Sequence, residues 1–203
     1  MKTQTKEIQD SQTPSGVLEM LKDGNKRFIA NDKSPRDLNG QVLETATGQF
    51  PHAVVLSCID SRVPVELVFD QGIGDIFSAR VAGNVINEDV LGSIEYGCKV
   101  AGSKLVVVMG HTKCGAVTSA CKRVELGNIT SLLSKITPAV NEVLAVGDEV
   151  TSEKIEKVNE INIHNAISRM RSESAILNEM EKEGAIQIVG AVYDVASGNV
   201  NFL

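Results

Sequence analysis

Tryptophan is absent from this chain of 203 residues, and aromatic residues together make up only 3 % of it. A core without aromatic bulk must be built from Val, Ile, Leu and Ala. Long hydrophobic runs are also missing. No stretch approaches the roughly 20 apolar residues needed to span a bilayer, so no membrane partner is expected. The N-terminal stretch "MKTQTKEIQDSQTPSG" lacks the apolar segment of a secretion signal, and the expected location is cytoplasmic. Positive charge is in deficit, with 20 Lys and Arg against 26 Asp and Glu. With no basic stripe interleaved with aromatics, nucleic-acid binding is disfavoured. Cysteine is sparse: Cys58, Cys98, Cys114 and Cys121. In a reducing compartment these do not form a disulfide framework, and metal or catalytic roles come to the front. No C-x-x-C pair is present, which argues against a dithiol redox enzyme.

What is present is an alternation of helical and strand-like patterns over a length that suits one domain, residues 1–203. "SGVLEMLKDGNKRFIA" (15–30) has apolar spacings of three and four and predicts an amphipathic helix. It lies in an N-terminal helical arm, 1–48, with a shorter helix near 41–47. The remainder, 49–203, reads as an α/β core. Strands are expected at 52–57, 75–81, 104–110 and 185–195, with a short final strand "VNFL". Helices are expected at 64–70, at 88–101, from just after His111, and over 151–183 with Gly184 as the C-terminal cap. Such alternation predicts a mostly parallel central sheet, about four parallel strands plus the short last one, flanked by helices.

Ligands of such sheets sit beyond the carboxyl ends of the strands. The first strand ends in "SCIDSRVP" and the third in "GHTKCGA". Parallel strands would bring Cys58, His111 and Cys114 to one edge. Two thiolates and one imidazole make a three-ligand zinc set with the fourth position open, as in catalytic rather than structural sites, and the thiolates exclude magnesium-like ions. Asp60 lies close enough to take that fourth position itself, or to be held by Arg62 in a bidentate pair. Against this stand plainer readings. Cys58 and Cys114 could be small core hydrophobes, as Cys98 and Cys121 are expected to be. Asp60 and Arg62 could be an ordinary surface pair. A thiol nucleophile at Cys114 is a further rival.

At these residues the chain resembles the β-class carbonic anhydrases. "CIDSRVP" (58–64) matches that family's C-x-D-S-R motif and "GHTKCGA" (110–116) its H-x-x-C-G motif, in the same order and about fifty residues apart; "FSARVAGN" and "IEYG" extend the likeness. The resemblance implies one Zn2+ per chain on Cys58, His111 and Cys114, with Asp60 and Arg62 as a catalytic dyad. It implies reversible hydration of carbon dioxide to bicarbonate and a proton by a zinc-bound hydroxide. Counted from the motifs, the family's substrate pocket falls on Gln49, Phe77 and Tyr96, and its motif glycine on Gly115. One branch of the family carries a tryptophan three residues before the first ligand and closes its zinc site with the aspartate. Val55 stands there in this chain, so the open arrangement is expected, with Asp60 on Arg62.

Geometry adds an expectation about assembly. With 51–57 extended, Gln49 and Cys58 stand roughly 30 Å apart, at about 3.3 Å per residue. A pocket using both must take Gln49 from a partner, as the resemblance implies: a homodimer or homotetramer with the site at the subunit interface. Phe77 would cross in the same way, and helix 15–30 is the element expected to wrap the neighbour. Alternative functions on the same residues are hydrolysis of carbon disulfide or carbonyl sulfide, and a non-catalytic zinc-stabilised binding module.

Overall fold

Seven consecutive residues, Leu105–His111, are fully buried and extended. They form β3, the middle strand of a five-stranded sheet in the computed structural model, which describes residues 3–203. The first two residues of the expected N-terminal arm lie outside it. In chain order the strands are β1 (Ala53–Ser57), β2 (Ile76–Arg80), β3 (Leu105–His111), β4 (Gln187–Tyr193) and β5 (Val200–Phe202). Their spatial order is β2-β1-β3-β4-β5, parallel except for the antiparallel β5. Both β1 and β3 are buried along their whole length. That follows from a parallel sheet covered on both faces, where apolar runs replace alternation.

The period of two still decides which helix each residue meets. Ala53, Val55, Leu105, Val107 and Met109 face Val17 and Leu21 of α2 (Pro14–Ala30). Val54, Leu56, Val106 and Val108 face α5 (Glu88–Glu95) and α9 (Ser152–Glu173) through Leu91, Ile94, Ile163, Ala166, Ile167 and Met170. Helix α9 comes close because two glycines let it. A Cβ on Gly110 would lie 2.5 Å from Asn159 Oδ1, and one on Gly190 would lie 2.9 Å from Ile163 Cγ2. A third apolar cluster caps the carboxyl end of β1 and β3. It joins Cys58 and Cys114 to α6 (Gly115–Cys121), α7 (Gly127–Leu133) and α8 (Thr137–Val143).

Several boundaries differ from the sequence reading, each for a local reason. The pattern over 151–183 is two helices, α9 and α10 (Ala175–Lys182). Ser174 breaks it in an extended conformation, its hydroxyl accepting from Leu177 N and donating to Glu95. A serine side chain competes with the helix backbone in this way. Gly184, with φ 72°, does end α10. Helix α3 spans Leu38–Glu44, earlier than 41–47, because Asp37 caps it by accepting from Gly40 N. A short helix α1 (Lys6–Ser11), capped by Thr5, forms in the polar stretch where none was expected. The helix at 88–101 is α5 continued by one π-helical turn, Tyr96–Val100. The small helix α4 is Val65–Val68.

Helix α2 is the main element of the expected N-terminal arm. It closes its own sheet, with Val17 and Leu21 fully buried. Gln9 of α1 donates to the carbonyls of Pro51 and Ala101 in the same chain. The apolar stripe of the helix finds its complementary face on its own sheet.

His52, just before β1, is fully buried, and its Nδ1 lies 2.9 Å from Gln4 Nε2. Burial lowers its pKa to about 4 from the ordinary 6.5. The native state therefore holds it neutral while the unfolded chain takes up a proton. The associated stability is present above pH 6.5 and is lost as pH falls toward about 4, by at most about 3 kcal/mol. Urea unfolding should show His52→Gln losing less stability than wild type between neutral and acid pH. Equal losses would contradict a depressed His52.

Candidate active site

Two adjacent strand ends build the site. Ser57, the last residue of β1, pairs in register with Met109 of β3, so Cys58 emerges beside the end of β3 at His111. Three residues later Cys114 returns to the same place. The return requires Lys113 to take a left-handed conformation, φ 57°, which delays α6 to Gly115 instead of just after His111. The side-chain donors of Cys58, His111 and Cys114 all lie within 4.8 Å of one another, and all three residues are buried.

The tautomer of His111 follows from its neighbours. Nδ1 lies 3.0 Å from the Thr112 carbonyl, which can only accept, so Nδ1 carries the proton. Nε2 is left with a free lone pair, buried and without a partner, and 3.8 Å from Asp60 Oδ2. Ligating histidines are oriented in this manner. An unpartnered buried imidazole nitrogen facing two thiols fits a soft divalent ion such as zinc. Asp60 is outside this three-donor group.

Burial and proximity set the charges. The two neighbouring thiols are driven in opposite directions. Cys58 is held well down, chiefly by the Cys114 thiol and also by the Gly83 N–H, against the opposing effect of burial. Cys114 is pushed up by the Cys58 sulfur and by burial. The Gly83 N–H points at Cys58 Sγ from 3.4 Å. Gly83 has φ 66°, and a Cβ there would lie 2.7 Å from Ile136 Cδ1, so only glycine fits.

Asp60 binds Arg62 with both oxygens: Oδ1 accepts from Nε at 2.9 Å and Oδ2 from Nη2 at 2.7 Å. The Arg62 hydrogen bonds hold the Asp60 carboxyl far below the usual carboxylate range. Arg62 is half exposed, and a pair so exposed contributes only about 0–1 kcal/mol to stability. Its consequence is orientation. Arg80 of β2 fixes the same loop from behind, donating to the carbonyls of Cys58 and Asp60 at 3.1 and 2.7 Å.

The remaining candidates lie apart. Phe77 pairs in register with Val54, four residues before Cys58. Its ring meets Tyr96 edge-on, centroids 6.3 Å apart, and both line a cavity of about 750 Å³ beside edge strand β2, with Ala79, Arg80 and Val90. Gln49 is exposed in the loop entering β1, at the end of the strand opposite Cys58. Gly115 opens α6 directly after Cys114 and faces open space, with nothing within 4 Å of where a Cβ would stand. His164 is exposed, and Cys98 and Cys121 are buried in apolar clusters. Sequence reasoning gave no role to Arg80, Gly83, Glu156, Asn159 or Asn162. Of these, Arg80 and Gly83 sit inside the quoted "FSARVAGN", and the two asparagines show only as polar residues three apart on an otherwise apolar helix face.

Comparison with known proteins agrees with this geometry. The family model described as carbonic anhydrase matches residues 53–200. Carbonic anhydrase 2 of Mycobacterium tuberculosis is 34 % identical over 191 residues, covering 91 % of this chain and 90 % of that protein. A carbonic anhydrase of Mycolicibacterium smegmatis is 33 % identical over 193 residues, with 92 % of each covered. Among solved structures, the β-carbonic anhydrase CafA of Aspergillus fumigatus superposes with a TM-score of 0.75 at 26 % identity, over 93 % of this chain and 89 % of that one. Two tetrameric β-carbonic anhydrases are known from Sordaria macrospora; the matched structure shares the fold at TM-score 0.70 and 22 % identity, over 81 % and 90 % of the two chains. The chain belongs to the β-class carbonic anhydrase family.

The donor set makes a direct prediction. Native mass spectrometry should find one zinc per chain, and Cys58→Ser or Cys114→Ser should each reduce retention against a chelator by at least about 100-fold, more than the loss of an outer hydrogen-bond partner causes. Retention unchanged in both variants would contradict the three-donor site.

Proposed function

We propose that the protein catalyses the reversible hydration of carbon dioxide to bicarbonate and a proton, using zinc held by Cys58, His111 and Cys114. The observation that carries this reading is the unpartnered Nε2 of His111 facing two buried thiols, with an aspartate kept ionised 3.8 Å away. Zinc bound there would supply a Lewis acid that brings the pKa of a water to about 7. Asp60, fixed by Arg62, would accept a hydrogen bond from the attacking water and set its direction. A structural metal site has no use for such a pair beside it. The names borne by the relatives support the same reaction.

Gln49, Phe77 and Tyr96 would serve a partner's site. Phe77 is too far back along β2 to reach its own Cys58, about 13 Å away at 3.3 Å per residue. The cavity it shares with Tyr96 opens beside the unpaired edge of the sheet. An apolar wall of this kind favours a small neutral substrate. The active unit is therefore a dimer or a dimer of dimers, each chain completing its neighbour's pocket.

Stopped-flow hydration on zinc-assayed protein tests the chemistry. Wild type should be active, and Asp60→Asn should keep its zinc while losing about 10–100-fold or more in kcat/KM. Stoichiometric zinc with no hydration from about pH 6.5 to about 9 would contradict the reaction. Mixing tests the shared pocket. Cys114→Ser and Gln49→Ala chains, each impaired alone, should recover about a quarter of wild-type activity after subunit exchange, because half the dimers are mixed and each regains one intact site. No recovery despite demonstrated exchange would place Gln49 outside the partner's pocket.

A further inference from the structure

One helix holds the backbone of the His111–Cys114 segment and of the Gly83 turn that faces Cys58, without touching a donor side chain. Along α9, Glu156, Asn159 and Asn162 recur at intervals of three. Glu156 Oε1 accepts from the N–H of Lys113 at 2.9 Å. Asn159 Nδ2 donates to the carbonyl of His111 at 3.2 Å. Asn162 Nδ2 donates to the carbonyl of Gly83 at 2.9 Å. Both asparagines are buried, at 1 % and 4 % exposure.

Two of the three bonds fall at left-handed backbone, and the third at the end of β3. Lys113 is the left-handed residue that returns Cys114 toward His111, and Gly83 is left-handed too. The N–H of Gly83 points at Cys58 Sγ, and its carbonyl, on the next peptide plane, is the group that Asn162 holds, so Asn162 anchors the turn from which that N–H is presented. The helix is rigid relative to the strands because Ile163, Ala166, Ile167 and Met170 pack in the core and Gly110 admits Asn159 against β3. A donor set must be held to roughly 0.5 Å to bind a metal well, and loops achieve this only when tied to rigid elements.

We propose that Glu156, Asn159 and Asn162 are positioning residues that preset the Cys58, His111 and Cys114 donors for the metal. The proposal rests on the metal-site reading above. It differs from a purely structural role, in which the same bonds would only satisfy buried backbone groups and their loss would lower stability without altering the donors.

Metal competition and spectroscopy separate the two, with each variant's denaturant midpoint measured in parallel. Against a chromophoric chelator, Asn159→Ala and Asn162→Ala should hold zinc about 10–100-fold more weakly than wild type. Cobalt-substituted Asn162→Ala should show a shifted thiolate-to-cobalt charge-transfer band, since the turn that presents the N–H to Cys58 loses its anchor. Glu156→Ala should weaken binding, and Glu156→Gln, which keeps the acceptor, should restore it. Asn165→Ala, whose side chain reaches toward Glu142 instead, should match wild type in both readouts. Should Asn162→Ala not fold, the Glu156 pair on its half-buried turn decides the matter alone. Variants that are less stable yet hold zinc with wild-type affinity and an unchanged cobalt spectrum overturn the proposal while leaving the metal site intact. A wild-type chain that takes up no metal overturns the metal-site reading, and this proposal with it.

Discussion

The parallel pairing of β1 with β3 is the constraint from which the site follows. It runs in register from Ala53 opposite Leu105 to Ser57 opposite Met109, and it delivers Cys58 and His111 to one end of the sheet. A shift of a single residue would turn every side chain of β1 to the other face. Val54 and Leu56 would then leave the α9 side, and Ala53 and Val55 the α2 side. The hydrophobic sorting that stabilises the two faces is thus the same feature that sets the position of the donors. The apolar cap of α6, α7 and α8 then seals them from bulk water, which raises the cost of leaving the thiolates and the imidazole nitrogen unsatisfied and so favours a bound ion.

Around that donor set, charge is arranged in layers. The innermost is the pair of thiols and the free imidazole nitrogen. Next is Asp60, kept anionic by Arg62, which also reaches the Lys113 carbonyl at 3.4 Å. Behind it Arg80 ties the loop of the first strand to the edge strand. Ile59, next to Cys58, and Leu67 of α4 are exposed at 60 % and 53 %, and Tyr96, beside Phe77 of the edge strand, at 54 %.

The sequence made the inner layer readable because its information is local. Cys58 with Asp60 and Arg62, and His111 with Cys114, lie within a few residues of one another, and strand–helix alternation is enough to juxtapose the two groups. The central strands β1 and β3 were legible for a related reason: apolar runs of five to seven residues between turn residues have few other uses. Ser174 was not legible, because the helical periodicity continues across it and only its hydroxyl contacts reveal the break. Asp37 was missed as a cap in a polar stretch. For helix 15–30, amphipathicity says that the helix has a partner face, not whose sheet provides it; Val17 and Leu21 pack on the chain's own sheet. Arg80, Asn159 and Asn162 act on backbone carbonyls more than twenty residues away in sequence, contacts that no spacing rule encodes.

The central claim is that two sulfurs and one nitrogen from this chain surround a single zinc. X-ray absorption at the zinc edge of the purified protein tests it most directly. The account predicts a shell of two sulfur neighbours, one imidazole and one further light atom. A shell of four sulfurs, or one with no sulfur, would contradict it.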